Sequence, residues 1–401
     1  IKHNRQKSQK PFRLKNPRLA LLFLIPYMMS RETVDLTGLQ HAFPYPRSAT
    51  GAITDLGRLI LARVEESGPI SFADYMAQCL YHPELGYYAR PGKPTVSKKG
   101  DFITSVSVGS VFGKLLAHRL YKFWCANGSP KTFTILEPGA HDGSLCLDIL
   151  EAISNLAPEF RSAVDYLVHE PLSVRRKSLQ AKLQGKACVI ATPDDCHAKI
   201  GALIANEILD ALPVPLYLRS NDQWHEILVT SNAGSLDWDS RPAKPDLPTN
   251  LPEGYVTEGP PELSSFMTPP ARMFENALFI WIDYGLDEEA LYHPARTAGT
   301  LRCYFKHKTC AHPLENPGEQ DLTADVNFTA VEKFASSLGF QIHPAMNQSR
   351  YLTYCGKEWL LSNPSPKEIS QFQTLIHPTQ FGGRFYALEM TKGNVNPASL
   401  I

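Results

Sequence analysis

The sequence predicts an α/β fold with a doubly wound, mostly parallel sheet, and two observations lead to this prediction. Apolar strand patterns alternate with helical patterns between residues 132 and 205, which is the order of successive βαβ units. An acidic turn with two glycines, Glu137-Pro-Gly-Ala-His-Asp-Gly143, follows the first of these strands and precedes a helix. Such a turn lies at the carboxyl edge of a parallel sheet, where open α/β sheets bind ligands.

The composition is that of a folded protein without a strong charge bias. The 401 residues are 43% hydrophobic, enough for one large domain with an insertion or for two domains. Lys+Arg and Asp+Glu are equal at 40 each, which argues against nucleic acid as the main partner. The eight cysteines form no Cys-x-x-Cys pair and no cluster at zinc spacing, so we expect no metal site.

The first 31 residues are basic and contain no acid, since the first carboxylate is Glu32. This pattern is typical of an organelle transit peptide or a signal peptide, but the segment is poor in serine and no small-x-small cleavage site follows. A third interpretation, which we rank first, is that Met28 or Met29 is the true start, with a cytoplasmic location; a transit peptide would make the location mitochondrial. The apolar run 19–25 is too short to span a membrane, so no membrane partner is expected.

The segment before the sheet is predicted to be helical. The spacing of apolar residues predicts a helix from Gly57 to Ser67, a second helix capped by Ser71, and a long helix that ends at Asn127-Gly128. We therefore divide the chain into three parts. They are an N-terminal extension (1–50), an N-terminal helical part (51–130) and a sheet-containing core (131–401).

Within the core, the alternating pattern predicts four strands and two helices. The strands lie at 132–136, 164–169, 187–191 and 201–205, and the helices at 144–157 and 172–184. After Pro213 the pattern breaks into an insertion, 214–275, with a predicted hairpin at 216–229 and a proline-rich stretch, 240–270, that indicates loop or cover rather than sheet. An apolar strand at 277–282, a helical region near 336–340 and a closing strand at 384–389 complete the core.

The acidic turn suits a nucleoside cofactor better than a dinucleotide. Gly139 and Gly143 allow the backbone to approach a ligand closely, whereas His141 stands where many such turns have a middle glycine and would crowd a pyrophosphate. Glu170 ends the next strand and can accept hydrogen bonds from ribose hydroxyls. We expect Glu137 and Glu170 to converge on a ligand with ribose hydroxyls and a positive charge, and S-adenosylmethionine has both.

Two alternatives remain for this turn. It could be an ordinary tight connection between a strand and a helix. It could also bind a nicotinamide cofactor, but that predicts Gly-x-Gly-x-x-Gly, which residues 139–144 do not supply.

A polar string, Asn206-Glu-Ile-Leu-Asp210, follows the fourth predicted strand of the core. A carboxamide and two carboxylates within five residues of an otherwise apolar segment indicate reacting groups at a sheet edge, while the alternative is a helix cap formed by Asn206. Asp283-Tyr284 ends a later strand in a similar way. The stretch Asp321-Leu-Thr-Ala-Asp325-Val-Asn327 fits either a helix cap or the wall of a pocket, and capping is the preferred interpretation.

Taken in order, these motifs resemble those of the MidA-like class I methyltransferases, over most of residues 51–390. The matching stretches are Gly68-Pro-Ile-Ser-Phe-Ala-Asp-Tyr-Met76, Tyr81-His-Pro-Glu-Leu-Gly-Tyr-Tyr88, Gly100-Asp-Phe-Ile-Thr104, Glu137 to Leu145, His169-Glu-Pro171, Ala205 to Pro213, Ile282 to Gly285 and Asp321 to Val326. The turn departs from the family pattern at Pro138, Ala140 and His141. Val106-Ser107 and Lys114 stand where the family usually has acids.

The resemblance implies a Rossmann-like sheet, S-adenosylmethionine as cofactor and a protein substrate, because mitochondrial members of the family methylate an arginine of one subunit during respiratory complex I assembly. Together with the residues themselves it places a set of groups at the cofactor: Asp101, Phe102, Thr104, Glu137, Gly139, His141, Gly143, Glu170 and Asn206. Asp283 and Tyr284 are expected at the substrate. Glu207 and Asp210 are the expected catalytic pair, gripping a guanidinium and receiving its proton. Because acids that the family usually has are missing here, the alternative function is that of a non-catalytic assembly or binding protein that keeps this fold.

Overall fold

Alternating helices and strands make up the part of the computed structural model that is described, residues 44–46, 53–90, 104–306 and 308–399. The helices are α1 (Asp55–Ser67), α2 (Phe72–Tyr81), α3 (Ser105–Val108), α4 (Val111–Ala126), α5 (Ser144–Leu156), α6 (Pro158–Ala163), α7 (Ser173–Leu183), α8 (Ser264–Met273), α9 (Glu288–Leu291), α10 (Phe328–Ser337), α11 (Gln348–Cys355), α12 (Lys357–Leu361) and α13 (Pro366–Ile376). The strands are β1 (Ile70–Ser71), β2 (Phe133–Pro138), β3 (Val164–His169), β4 (Cys188–Ile190), β5 (Ala198–Asn206), β6 (Leu216–Ser220), β7 (Gln223–Asn232), β8 (Ser235–Ala243), β9 (Val256–Glu258), β10 (Phe274–Leu286), β11 (Arg302–Phe305), β12 (Lys308–Cys310), β13 (Asp321–Thr323), β14 (Val326–Asn327), β15 (Phe340–Ile342), β16 (Met346–Asn347) and β17 (Phe385–Lys392).

The central sheet runs in the order β15-β17-β10-β5-β2-β3-β4, with β14 paired to β10 and β16 to β17. The five strands from β10 to β4 are parallel, whereas β17 is antiparallel to β10. The chain moves outward from β2 to β3 and β4 and then returns to the other side of β2 as β5. This reversal is the topological switch point, at which open α/β sheets bind ligands, and the predicted doubly wound fold is confirmed.

Helices cover both faces of this sheet. Neighbouring residues of a strand point to opposite faces, and in these buried strands both faces carry apolar side chains that helices cover. Ile135 of β2 belongs to an apolar cluster with residues of α4, α5, α11 and α13. The next residue, Leu136, belongs to a second cluster with residues of α8 and α10. The three-layer arrangement follows from this alternation.

A smaller antiparallel sheet lies beside the first and is covered by α1 and α2. Its order is β1-β7-β6-β9, with β8 on the other edge of β7. The predicted end of α1 at Gly68 and the predicted cap of α2 hold, since Ser71 accepts a hydrogen bond from the Asp74 N–H at the start of α2. α1 begins at Asp55 rather than at the predicted Gly57, and Thr54 is its N-cap. The predicted hairpin is present as β6 and β7.

The prediction that residues 240–270 contain no sheet is wrong. Residues 240–243 end β8, and Val256–Glu258 forms β9, which pairs with β6. β8 tolerates Pro242 because it pairs only with β7 among the described strands, and an edge strand can lose an N–H donor.

The predicted long helix before the core is two helices, α3 and α4, which are separated at Gly109. Gly109 has φ +144°, and a Cβ there would come within 2.2 Å of the Gln371 side chain of α13. Glycine is therefore required at the break, both for its backbone angle and for the space above it.

A fully buried ion pair ties α4 to the closing strand β17. The guanidinium of Arg119 donates two hydrogen bonds of 2.7 Å to the carboxylate of Glu389, and the Tyr351 hydroxyl of α11 donates a third at 2.8 Å. The Arg119 and Glu389 side chains are only 1% and 3% exposed. Such a pair is stable only while both charges are present, because an unpaired buried charge has lost its hydration.

Removing one charge of this pair should destabilise the fold severely. We expect Glu389→Gln to lower the free energy of unfolding by roughly 3–5 kcal/mol, since it leaves the Arg119 guanidinium buried without a counter-charge. Urea denaturation measures this loss. The apolar double variant Arg119→Met/Glu389→Leu should recover much of it, and Asp55→Asn, which breaks an exposed pair with Arg58, is the matched control. A Glu389→Gln protein as stable as the control would contradict the argument.

Candidate functional site

The glycine turn between β2 and α5 has left-handed backbone at three positions. Gly139, His141 and Gly143 have φ of +62°, +48° and +75°. The turn is closed by hydrogen bonds from the Gly139 N–H to the His169 carbonyl (2.9 Å) and from the Gly143 N–H to the Ala140 carbonyl (2.7 Å). Left-handed backbone costs a residue with a side chain about 1–2 kcal/mol, which explains why glycine is favoured at the position where this chain has His141.

Glu137 is buried at the end of β2, on the face of the sheet that carries α5. The Tyr166 hydroxyl of β3 donates a 2.6 Å hydrogen bond to its Oε2 atom. Burial, with smaller contributions from Asp142 and Asp148, raises the pKa of Glu137 to about 7, although the Tyr166 hydrogen bond opposes the rise. This carboxyl is therefore close to half ionised at neutral pH.

Glu170 follows the end of β3 and is also buried, but its partners are different. Its Oε1 atom accepts a 2.9 Å hydrogen bond from the Leu172 N–H, and its Oε2 atom lies 3.3 Å from the Nε atom of Arg175. Burial raises the pKa of Glu170, and the Leu172 N–H and Arg175 oppose the rise. These contacts give Glu137 and Glu170 no common partner, so the predicted convergence of both acids on one ligand remains a prediction.

The loop after β5 brings Asn206, Glu207 and Asp210 to the carboxyl edge of the sheet. Glu207 has left-handed backbone with φ +54°, and its N–H donates to the Ile282 carbonyl at 2.9 Å. Its Oε1 atom accepts hydrogen bonds from the Ser105 N–H (3.2 Å) and from the Asn206 amide (3.0 Å). Asn206 is thus not a helix cap but a support for the neighbouring carboxylate.

Asp283, at the end of β10, fixes this loop from the neighbouring strand. Its Oδ2 atom accepts hydrogen bonds from three successive N–H groups, those of Ile208 (3.0 Å), Leu209 (2.8 Å) and Asp210 (3.4 Å). Its Oδ1 atom accepts from the Tyr284 N–H at 2.9 Å. The side chain is 1% exposed, so Asp283 acts on the site through the backbone it holds.

Asp210 is buried beside Tyr284, whose hydroxyl donates a short hydrogen bond to its Oδ2 atom. Burial raises the pKa of Asp210 to about 6, while the Tyr284 hydrogen bond and the Arg302 charge oppose the rise. Asp210 is therefore largely ionised at neutral pH.

Burial raises the pKa values of three carboxylates at this edge, Glu207, Asp210 and Asp283, and like charges add to the rise for Glu207 and Asp283. Burial and the Asp210 charge raise the pKa of Glu207 to about 8. Burial and the charges of Asp210 and Glu207 raise the pKa of Asp283 as well. Like charges in a poorly hydrated place disfavour their own ionisation, and a cation at the same place would reverse this effect.

Two tyrosines of the N-terminal part lie over the acidic edge. No role could be predicted for them from the sequence. The Tyr81 hydroxyl donates to the Ala211 carbonyl at 2.9 Å, and the Tyr88 hydroxyl donates to Asp321 at 3.1 Å. The two rings are stacked, with centroids 5.6 Å apart. Arg175, the partner of Glu170, also donates to the Tyr88 carbonyl at 3.2 Å and so links the two sides of the site.

The remaining predicted residues have mixed outcomes. Thr104 is the N-cap of α3, where its side chain accepts a hydrogen bond from the Ser107 N–H. In the stretch 321–327 the predicted helix cap is present, because Asn327 caps α10, whereas Asp321 begins β13. Asp101 and Phe102 lie outside the described residues.

No cluster of three or more His, Cys, Asp or Glu side chains suited to a metal ion occurs in the described part of the chain. Within the same ranges, no helix has both the length and the apolar character needed to cross a membrane.

Two features of this edge fit a nucleoside cofactor. The Oδ1 atom of Asn206 is a buried acceptor without a hydrogen-bond partner among residues 44–46, 53–90, 104–306 and 308–399. Glu170 presents a second acceptor, and each carboxylate oxygen can accept more than one hydrogen bond. The donors that these acceptors need are the hydroxyl and amino groups of such a ligand.

Comparison with known proteins indicates the same kind of cofactor. Residues 115–346 match a family described as "Putative S-adenosyl-L-methionine-dependent methyltransferase". The chain is 26% identical to the mitochondrial protein arginine methyltransferase NDUFAF7 of Xenopus tropicalis, over 84% of this chain and 86% of that protein. It is 25% identical to the human protein of the same name, over 84% of this chain and 83% of that protein.

Solved structures agree with the fold. A crystal structure of a protein from Burkholderia thailandensis, bound to S-adenosyl-homocysteine, matches with a TM-score of 0.73 and 26% identity, over 86% of this chain and 94% of that one. A native crystal structure from the same organism matches with a TM-score of 0.72 and 26% identity, over 86% of this chain and 93% of that one.

Removing the Glu207 charge should make the stability of the protein less dependent on pH. An unfolded glutamate has a pKa of about 4.3, whereas the pKa of Glu207 in the fold is raised to about 8. Between these values the unfolded chain releases a proton that the folded chain keeps, so wild-type stability falls as pH rises through this window. Relative to wild type, we expect the free energy of unfolding of Glu207→Gln to increase from about pH 5 to about pH 8 in urea titrations.

The exposed residue Glu289 provides the matched control for this measurement. Glu289→Gln should follow the wild-type curve across the same pH range. If the difference between Glu207→Gln and wild type stays constant from low to high pH, the argument for a raised pKa fails.

Proposed function

The chain belongs to the family of S-adenosylmethionine-dependent methyltransferases, and from this premise we propose that its methyl acceptor is an arginine side chain of a protein. The family match and the relatives' shared cofactor confirm the predicted reaction class. Support for the finer assignment comes from the relatives named protein arginine methyltransferases and from the acidic edge described above. The observation that carries it is the placement of three carboxyl groups, Glu207, Asp210 and Asp283, at one edge of the sheet, where one Asp283 oxygen holds the backbone N–H groups from Ile208 to Asp210.

Glu170 and the glycine turn are the residues that would hold the cofactor. S-adenosylmethionine supplies an electrophilic methyl group on a sulfonium when it is bound. In this proposal the Glu170 carboxylate accepts hydrogen bonds from ribose hydroxyls, and Gly139 and Gly143 let the backbone come close to the ligand. The unsatisfied Oδ1 atom of Asn206 offers a further acceptor on the same edge.

A guanidinium fits the acidic edge because its positive charge would offset the negative charges of the carboxylates there. An arginine side chain has a pKa above about 12 and enters the site as a cation. Its charge would offset the repulsion between Glu207 and Asp210 and favour their ionised forms. The planar guanidinium can also donate several hydrogen bonds to carboxylates in fixed directions.

The two carboxylates have different roles in this proposal. Asp210, held by the Tyr284 hydroxyl and largely ionised, attracts and orients the acceptor. Glu207 has the higher pKa and receives the proton that the acceptor nitrogen releases as its bond to the methyl carbon forms. Asp283 keeps both groups in place by holding the backbone between them.

Two variants should separate binding of the cofactor from transfer of its methyl group. Glu207→Gln should lower methyl transfer about 100-fold or more, since it removes the proton acceptor, while leaving the affinity for S-adenosyl-homocysteine nearly unchanged. Glu170→Gln should weaken that affinity about tenfold or more, since it loses hydrogen bonds to a charged group. Calorimetric titration with S-adenosyl-homocysteine and transfer of a labelled methyl group measure the two effects. Lost binding in Glu207→Gln would instead move Glu207 to the cofactor site.

The acceptor itself can be identified with a labelled methyl donor. Wild-type protein and Glu207→Gln are incubated in parallel with labelled S-adenosylmethionine and a cell extract, and the labelled proteins are hydrolysed to amino acids. Label in methylated arginine, present with wild type and absent with Glu207→Gln, supports the proposal. Label in another amino acid, in nucleic acid or in a small molecule rejects arginine as the acceptor.

We also propose that the protein acts in mitochondria, which was the second of the two locations considered from the sequence. The named relatives are mitochondrial. The first 31 residues are basic and contain no acid, as is typical of a transit peptide.

The location can be tested with the N-terminal segment alone. Residues 1–50 fused to a fluorescent protein should direct it to mitochondria, because a basic, acid-free segment is what the import machinery recognises. The matched control replaces the lysines and arginines of residues 1–31 by glutamine and should leave the reporter in the cytosol. A cytosolic signal from the unaltered fusion would favour the cytoplasmic location expected first.

A further inference from the structure

Arg302 brings a cation to the acidic edge from a third sheet, which has the order β12-β11-β13. It is the first residue of β11 and lies opposite Thr323 of β13. Its guanidinium forms an ion pair with Asp325 and lies over the ring of Tyr284, 5.0 Å from the ring centroid. A guanidinium in this position is attracted by the face of the ring.

Tyr284 connects this cation to the acceptor site. Its ring is in contact with Arg302 on one side and packs edge-on against Phe385, with ring centroids 5.5 Å apart. Its hydroxyl donates the short hydrogen bond to Asp210. Two groups from distant parts of the chain, one cationic and one aromatic, therefore fix the direction of the tyrosine hydroxyl.

We propose that Arg302 is a positioning residue for methyl transfer: it holds Tyr284 in place and, through Tyr284 and its own charge, keeps Asp210 oriented and ionised toward the acceptor. This inference rests on the proposed function, in which Asp210 binds a guanidinium. Arg302 does not touch the reacting atoms and acts through another side chain.

The other groups around Asp210 oppose its ionisation or are neutral. Glu207 and Asp283 carry like charges from β5 and β10. Tyr81, Tyr88 and Tyr304 lie near it on α2, on the turn at Tyr87–Ala89 and on β11, and Asp321 and Asp325 are further acids beside these tyrosines. Burial raises the pKa of Asp210 to about 6, and the Tyr284 hydroxyl, the Arg302 charge and hydrogen bonds to the backbone at Ala211 and Asp210 oppose this rise.

These charges determine the direction in which the pKa of Asp210 changes when Arg302 is removed. Without the Arg302 cation the pKa of Asp210 rises further, and Asp210 becomes protonated near neutral pH. A protonated Asp210 cannot attract a guanidinium. Methyl transfer should then be lost first at the acidic end of its pH range.

The test follows the Asp210 carboxyl directly, with no acceptor present. Aspartate carboxyl carbons are labelled with ¹³C and titrated by NMR, and Asp210→Asn identifies the signal. Arg302→Gln should move the Asp210 midpoint up by roughly one pH unit, and Arg302→Lys should restore it, since lysine keeps the charge. The matched control is Arg241→Gln, which breaks an exposed ion pair with Glu226 on the smaller sheet.

A second variant keeps the test decisive if Arg302→Gln does not fold. Asp325→Asn removes the acid paired with Arg302, so the cation acts more strongly on Asp210 and the midpoint should move down. Midpoints that do not move in Arg302→Gln, or that do not move in Asp325→Asn, overturn the proposal.

Transfer of label from S-adenosylmethionine to extract proteins gives the functional readout. The acidic limb of its pH profile should move up in Arg302→Gln and return in Arg302→Lys, with the affinity for S-adenosyl-homocysteine unchanged. An unchanged limb in Arg302→Gln also overturns the proposal. If wild type labels no arginine while the NMR midpoints move as expected, the proposed acceptor is wrong and the effect of Arg302 on Asp210 stands.

Discussion

The Asp283 carboxylate holds the loop that carries the acidic site, and the rest of the site depends on it. One of its oxygens accepts hydrogen bonds from three successive N–H groups, which begin directly after Glu207. Glu207 itself has φ +54°, a backbone conformation that costs a non-glycine residue on the order of 1–3 kcal/mol and persists only when its surroundings fix it. The parallel pairing of Asn206 with Ile282 brings Asp283 to that place, so a side chain at the end of β10 determines the backbone at the end of β5.

The poorly hydrated charges of this protein occur in two different arrangements. In the core, Arg119 and Glu389 are fully buried and fully paired, so neither charge is left without a partner. At the carboxyl edge, Glu207 and Asp210 are also poorly hydrated, but they face each other as like charges and their pKa values are raised. A fold gains nothing from such repulsion. The arginine acceptor proposed above would bring a further cation to this edge and offset the repulsion.

The parts of the fold that were predicted from the sequence are those set by local patterns. The strand at 164–169 matches β3 because an apolar run bounded by polar residues suffices to define it. β9 lies in a proline-rich stretch, and β11–β13 are short and carry charged residues; their pairing is set by partners far along the chain. The same limit applies within the site. The direction of Glu137 is fixed by the pleat of β2, whereas Glu170 lies beyond the end of β3, where no pleat sets the direction of its side chain.

The tyrosines of the motif Tyr81 to Tyr88 match a family pattern, but their role could not be predicted from the sequence. The reason is that their contacts are with residues far along the chain. Tyr81 is 130 residues from Ala211, and Tyr88 is 233 residues from Asp321, to which their hydroxyls donate. Both tyrosines interact electrostatically with Asp210, and burial is the first cause of the raised pKa of Asp210. The chemistry of the carboxylates therefore depends on side chains that carry no charge and lie in another part of the sequence. A motif of acids predicts where a site is, but the groups that cover it determine what its acids can do.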